Sequence, residues 1–284
     1  MNITKRTPKP GWLKAAIPAG KNYFKIKKAL EERNLCTICQ QAKCPNISEC
    51  WNNYHATFLI MGDTCSRNCA FCSVKHGVPE PLDAREPERI VEMTSILDAR
   101  YVVITSVTRD DLEDGGSSHF AAVIRTLKKR KPGVRIEVLI PDFKGNIRHL
   151  ETVLDARPDV LNHNLETVRR LYPHVNRKTF NYLISLQVLK HSKACGFITK
   201  SGIMVGLGET LDELKESFQD LRDSGVDLLT IGQYLQPAHE NVRVERFYTP
   251  EEFDRLKELA LSFGFTDAVA SPFVRSSYNA DQMY

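Results

Sequence analysis

Three cysteines in MGDTCSRNCAFCSVKHG (Met61–Gly77) stand four and then three residues apart, at Cys65, Cys69 and Cys72. Thiolates at this spacing suit zinc or an iron–sulfur cluster. A structural zinc takes four protein ligands. Three thiols therefore make either a zinc knuckle that borrows a remote ligand or a cubane that keeps one iron free to bind something else. A second stretch, CTICQQAKCPNISEC, carries Cys36, Cys39, Cys44 and Cys50. On spacing alone these could make a four-cysteine zinc site; Cys36 is otherwise a spare thiol or plain packing. Eight cysteines would also permit four disulfides. The basic N-terminus is followed by no apolar segment of roughly 7–15 residues, so no secretory signal is predicted. The thiols are read as metal ligands in a reducing cytoplasm. Cys195, alone in QVLKHSKACGF, is expected to be a small core residue.

The elements that must position these thiols follow from hydrophobic patterning. Residues 1–35 read as an extension with one helix over KNYFKIKKALEERNL, and residues 36–56 as the cysteine-rich segment. TFLIMG is a continuous apolar run, the pattern of a strand buried on both faces. Then PERIVEMTSILDA has helical spacing, YVVITSV is a strand, and SSHFAAVIRTLKKRKPG is a helix capped by Ser117 or Ser118. VRIEVLI, DVLNHN, FITKSGIMVGLG and VDLLTIGQY are further strands, with helices between them and a last helix that opens at Thr249-Pro250. About six strand–helix units predict parallel strands with right-handed crossovers. Six is short of a closed eightfold barrel, so the expected fold is α/β, a partial (β/α)6 barrel. Its bounds are set at 57–264, with an N-terminal extension over 1–56 and a C-terminal segment over 265–284. The three-cysteine loop leaves the first strand and so belongs at the barrel mouth, where such folds carry their functional groups.

Cys-x3-Cys-x2-Cys, with Phe71 before the last cysteine and a strand before the loop, resembles the signature of the radical S-adenosylmethionine (SAM) enzymes. The resemblance implies a [4Fe-4S] cluster on Cys65, Cys69 and Cys72 whose open iron binds the amino and carboxylate groups of SAM. Cys39-x4-Cys44-x5-Cys50 resembles the auxiliary-cluster motif of the lipoyl synthases, and SPFVRSSYNA matches their Arg-Ser-Ser-Tyr ending at Arg275–Tyr278. The stretches ITSVTRDDLEDGGSSHF, NHNLETV, KSGIMVGLGE and QYLQP agree with that family. Asn176-Arg177-Lys178 departs from its usual arginine-proline-x, and QPAHENVRVERFYTPEEF differs slightly from its usual loop.

The family resemblance implies a second [4Fe-4S] cluster on Cys39, Cys44, Cys50 and a serine, Ser276 first and Ser277 as the alternative. It implies a sulfurtransferase that inserts sulfur at C6 and C8 of a protein-bound octanoyl-lysine, with SAM as cosubstrate and the auxiliary cluster as sulfur source. Partners would be octanoylated lipoyl-carrier domains (the E2 chains of 2-oxoacid dehydrogenases, the glycine-cleavage H protein) and a ferredoxin- or flavodoxin-type reductant. Clamped between the two tails, the auxiliary cluster is expected to roof the barrel mouth. Two other classes stay open on the residues alone: a different radical SAM sulfurtransferase, and a zinc-binding interaction module.

Weaker signals sit at strand ends. Thr105, Ser106, Asn162, Asn164, Glu166 and Gly206 are candidate SAM contacts beside Phe71. The bland alternatives are a capped helix start for the asparagines and glutamate, and a strand-to-helix turn for Gly206-x-Gly208. His163 is expected to be a satisfied structural histidine. The run Asp110, Asp111, Glu113, Asp114 is expected to pair with arginines such as Arg109. The basic run Arg125–Lys131 is read as a solvated helix face, with docking of an acidic carrier as the alternative. A net charge of +4 is too mild to argue for nucleic acid. No stretch is apolar enough over 18–20 residues to span a membrane, and a cytoplasmic location is expected.

Overall fold

The computed structural model describes residues 8–283. Helix α1 (Lys21–Glu32) buries Ile26, Ala29 and Leu30 and leaves Lys21, Lys25 and Lys28 in solvent, the two faces its sequence period dictates. A short β1 (Cys36–Thr37) follows, then two short helices, α2 (Ile38–Gln41) and α3 (Ile47–Asn52). The Thr37 hydroxyl caps α2 by accepting from the Gln40 N–H. Trp51 of α3 is fully buried and stacks on Tyr23 of α1, with ring centroids 5.1 Å apart. That stack joins the two N-terminal segments into one unit.

The βα series then runs β2 (Thr57–Ile60), the short pair β3 (Thr64–Cys65) and β4 (Lys75–His76), α4 (Glu86–Ile96), β5 (Tyr101–Ser106), α5 (Ser117–Arg130), β6 (Arg135–Leu139), α6 (Ile147–Leu154) and β7 (Val160–Asn162). It continues with α7 (Phe180–Ala194), β8 (Ile198–Val205), α8 (Leu211–Asp223), β9 (Leu228–Gln233), α9 (Pro250–Ser262) and β10 (Asp267–Ser271). The main sheet has the order β1-β2-β5-β6-β7-β8-β9-β10. Every neighbouring pair is parallel except β1 with β2. No ladder joins β1 to β10 among the described residues, so the barrel is partial, as expected.

Two features differ from the expected elements. A seventh parallel strand, β10, lies beyond residue 264 and pairs with β9. Its sequence, DAVAS, is short and built of small residues, and it gives no long apolar run to find. Helix α5 is capped by neither serine: Gly116 is the N-cap in a left-handed conformation, φ 86°. The Asp114 carboxylate accepts instead from the N–H groups of Gly116 (2.9 Å) and Ser118 (2.8 Å). At the last helix the expected start holds, with Thr249 as cap, Pro250 in the first turn and a reciprocal Thr249–Glu252 capping box.

The sheet separates two environments. Val102, Ile104, Ile136 and Val138 pack under the helices in one apolar core, and the second half of the sheet packs with α8 and α9 in another. The alternate residues of the same strands face the barrel interior, which is partly polar. There the buried Glu137 accepts from the Tyr101 hydroxyl (2.7 Å), from Asn162 Nδ2 (2.9 Å) and from the fully buried Lys200 Nζ (3.2 Å).

Candidate metal centres

The loop carrying Cys65, Cys69 and Cys72 leaves β2 through Met61, at φ 68°, and Gly62, at φ 93°. This left-handed corner is costly for a non-glycine residue. It is held by Glu86, which accepts from the Met61 N–H at 3.0 Å, and by Arg109 Nη1, which reaches the Met61 carbonyl at 3.5 Å. Glu86 also meets His119 Nε2 at 2.6 Å. The loop closes on itself where Thr64–Cys65 pairs with Lys75–His76. Other strand ends then pin it. Ser66 N–H donates to the Thr108 carbonyl at 3.0 Å, and Ala70 N–H to Val175 O at 3.0 Å. Asn176 Nδ2 donates to Asn68 O at 2.5 Å, and Asn241 Nδ2 to Ala70 O (3.1 Å) and Cys72 O (2.9 Å). The loops after β5, β7 and β9 thus fix the thiols from three sides.

Backbone N–H groups point at the sulfurs. Cys65 Sγ accepts from Arg67 (3.4 Å) and Thr108 (3.3 Å), and Cys72 Sγ accepts from Val74 (3.4 Å). Such bonds stabilise thiolate charge and tune cluster potential. Burial pushes the Cys69 thiol up to about 11. Burial, reinforced by Cys69 and Cys65, pushes Cys72 up to about 12. These thiols are protonated at neutral pH until a cation takes the protons' place.

The second triad is built by α2 and α3. Cys44 N–H donates to Cys39 O (2.9 Å) and Cys50 N–H to Asn46 O (2.9 Å), which turns three successive side chains toward one space. Cys39 is raised to about 11 by burial and then Cys44; Cys50 is raised to about 12 by burial and then by Cys39 and Cys44. Cys44 is also raised by burial, and the Arg275 guanidinium pulls it back down.

Three soft thiolates in each set suit an iron–sulfur cluster or zinc, and the thiols of each set are close enough to raise one another. Beside Cys39, the buried Trp51 indole N–H faces the thiol and lowers it, a donor that would serve a metal-bound thiolate there. Cys36 stays outside both sets, packed against the first core with its thiol raised by burial and by Asp63 and Glu86.

The cavity lined by Cys39, Cys44 and Cys50 measures about 920 Å³. Its walls include Thr57, Tyr101, Val103 and Arg135, the starts of β2, β5 and β6, and the turns before them. The second triad therefore lies at the opposite end of the barrel from the first and does not roof the mouth. The reason is the antiparallel β1: running down beside β2, it delivers α2 to the end where the strands begin.

The C-terminal tail links the two ends. After β10 it crosses the open side of the barrel, where Asn46 Nδ2 donates to Phe273 O (2.7 Å) and the Tyr278 hydroxyl to Glu49 (2.9 Å). It seats against two interior glycines. A Cβ on Gly232 would lie 2.2 Å from Val274 O, and one on Gly202 would lie 2.8 Å from both Ser276 Oγ and Asn164 Oδ1. Ser277 lines the cavity with the three thiols and Arg275; Ser276 instead donates to Asn164 at 2.7 Å. Of the two candidate serine ligands, the second one shares the thiols' space.

The candidate SAM contacts divide. Glu166, at φ 72°, is held by a bridge to Ile203, and its carboxylate, raised by burial, raises the Cys69 and Cys72 thiols in turn. Among the described residues Ser106 Oγ, at the end of β5, is buried without a partner. Phe71 packs against the second core. Thr105 spends its hydroxyl on Leu139 O (3.0 Å). Asn162 is buried in the barrel interior against Glu137. Gly206, at φ 97°, is a turn that a Cβ would force into Gln233. His163 is satisfied, with Nδ1 on Ile140 O (2.8 Å) and Nε2 on Ser185 (2.9 Å), and burial lowers it to about 4. Arg109 pairs with Asp111, as expected, and Asp110 pairs with Arg67. Cys195 is a correction: it is exposed, because it ends α7 where the chain turns away at Gly196, φ 85°.

Residues with no sequence signal join the site. Arg67 is gripped by Asp110 and Asp142 at 2.6–3.0 Å, and Arg177 lowers both Cys69 and Glu166. Arg67 lies within the cysteine loop and Arg177 far along the chain, but neither one's partners can be read from the sequence.

The profile of the radical SAM superfamily matches residues 59–221, and that of the N-terminal domain of lipoyl synthase matches residues 2–44. The chain is 50% identical over 279 residues to the lipoyl synthase of Rubrobacter xylanophilus, which covers 98% of this chain and 87% of that one. It is 50% identical over 285 residues to the lipoyl synthase of Desulfotalea psychrophila, covering 100% and 95%. Among solved structures, HydG, a maturase of the [FeFe]-hydrogenase, shares the fold with a TM-score of 0.59 at 15% identity, over 86% of this chain and 65% of that one.

Proposed function

Because this chain belongs to the lipoyl synthase family of the radical SAM superfamily, we propose that its two thiol sets divide one sulfur insertion between them. It is a sulfurtransferase that works with SAM and [4Fe-4S] clusters. Cys65, Cys69 and Cys72 would hold the cluster that leaves one iron for SAM. Cys39, Cys44, Cys50 and Ser277 would hold the second, with a hard hydroxyl as the weakest of four ligands. The chemistry these groups supply when bound is one-electron cleavage of SAM and delivery of sulfur to C6 and C8 of an octanoyl-lysine on a carrier protein.

The chain's own residues bind, orient and exclude water. The N–H groups of Arg67, Thr108 and Val74 hold thiolate charge at the first centre. Glu166 offers a carboxylate beside Cys69 and Cys72 for the SAM ammonium group, and Ser106 an unspent hydroxyl. A radical attacks any C–H within reach, so selectivity needs a substrate fixed between two sites. The barrel interior, with the tail seated on Gly202 and Gly232, supplies that fixed space.

The observation that carries this reading is the shared cavity of Cys39, Cys44, Cys50 and Ser277, which reaches the inward-facing Val103. The test is mass spectrometry of an octanoyl-lysine peptide after anaerobic turnover by the reconstituted protein, which should hold roughly eight irons. A product that has gained two sulfurs in place of two hydrogens is expected. Loss of hydrogen without sulfur, or a colourless zinc protein, overturns the reading.

A further inference from the structure

The geometry points to the end of the barrel where the strands begin as the carrier-docking face, receiving an acidic domain whose octanoyl-lysine enters beside Cys39, Cys44 and Cys50. This rests on the sulfur-insertion reading. Three observations carry the rest.

Access is the first. At the mouth, Thr108, Asn176, Asn241 and Val242 are all hydrogen-bonded to the cysteine loop, and the proposed function gives that end to SAM. At the other end the cavity of about 920 Å³ is large enough for an extended acyl-lysine arm.

Charge is the second. The cavity wall carries Lys25, Arg100, Arg135 and Arg275 against Asp98 and Asp281. The last turn of α5, which leads into the cavity-lining Gly133 and Arg135, adds Lys128, Lys129 and Arg130 at the same end of the barrel, with Lys128 engaged by Asp159 at 3.7 Å. Lys25, Arg100, Lys129, Arg130 and Arg135 are exposed. Basic residues in the last turn of α5 suit its helix dipole. That role does not account for cations arriving from α1, from the turn before β5 and from the start of β6. A rim with an excess of cations assembled from four segments steers a partner of the opposite sign.

Proximity is the third. The carbons that gain sulfur must reach the thiol set that holds the sulfur source, and that set lines this cavity and not the mouth.

The test uses the reconstituted holoenzyme and a double variant, Lys129→Glu with Arg130→Glu. Two substrates are compared: an octanoylated carrier domain of net negative charge, and a short uncharged octanoyl-lysine peptide. The expected result is a KM for the carrier raised roughly tenfold with kcat unchanged, and peptide turnover unaffected. Added salt should raise the carrier KM of the unaltered protein and barely move that of the variant. A carrier KM within about twofold of the unaltered protein, or equal losses on both substrates, overturns the docking face. If the unaltered protein puts no sulfur into the peptide, it is the sulfur-insertion reading that fails.

Discussion

At the scale of single residues, the division between Ser276 and Ser277 bears on how the proposed second centre would be completed. The two are adjacent, yet one donates to Asn164 and the other lines the thiol cavity. Ser277→Ala is therefore expected to abolish sulfur insertion while SAM cleavage continues. Ser276→Ala should keep most activity and lose only about 1 kcal/mol of tail anchoring. Activity assays that separate SAM cleavage from thiolated product distinguish the two, and equal defects would refute the assignment. His163 gives a second residue-level prediction. Its folded-state value of about 4 lies below the ordinary 6.5, so the unfolded chain binds the extra proton first as pH falls. Its contribution to stability is present above pH 6.5 and is lost between 6.5 and 4. Thermal unfolding should show that loss, and His163→Asn should flatten it. The thiol triads were legible because their chemistry depends on spacing along the chain. The serine choice, Arg67 and Arg177 were not, because they depend on which side chains the fold turns inward.

At the scale of elements, the strand–helix alternation was readable because buried parallel strands are apolar runs and helices carry caps. β10 escaped because its alternating small residues resemble a loop, and β1 because two residues make no pattern. Those two elements set the site's layout. β1 sends the cysteine segment to the start of the barrel, and β10 brings the tail to its open side. The seat of that tail is a pair of strand glycines that face the interior, and Gly232 is the tighter, since a Cβ there would overlap the Val274 carbonyl. Gly232→Ala is expected to cost about 1–3 kcal/mol through backbone displacement. It should also reduce sulfur insertion more than SAM cleavage, because the tail and not the first triad must shift. Denaturant titration alongside both assays checks this; a stable variant with intact product formation would contradict it.

At the scale of the whole molecule, two thiol sets stand at opposite ends of one open barrel, joined by a tail that runs along its interior. Sequence patterning predicted the barrel and placed the first triad correctly at its mouth. It misplaced the second, because nothing in the spacing of cysteines tells at which end of a sheet they emerge. The tail has a consequence for biogenesis. A ribosome reaches Arg275–Tyr278 only after every strand has been made. If Ser277 completes the second centre as proposed, that centre is assembled last, on a chain whose scaffold already exists, and an interrupted product carries the thiols but not the serine.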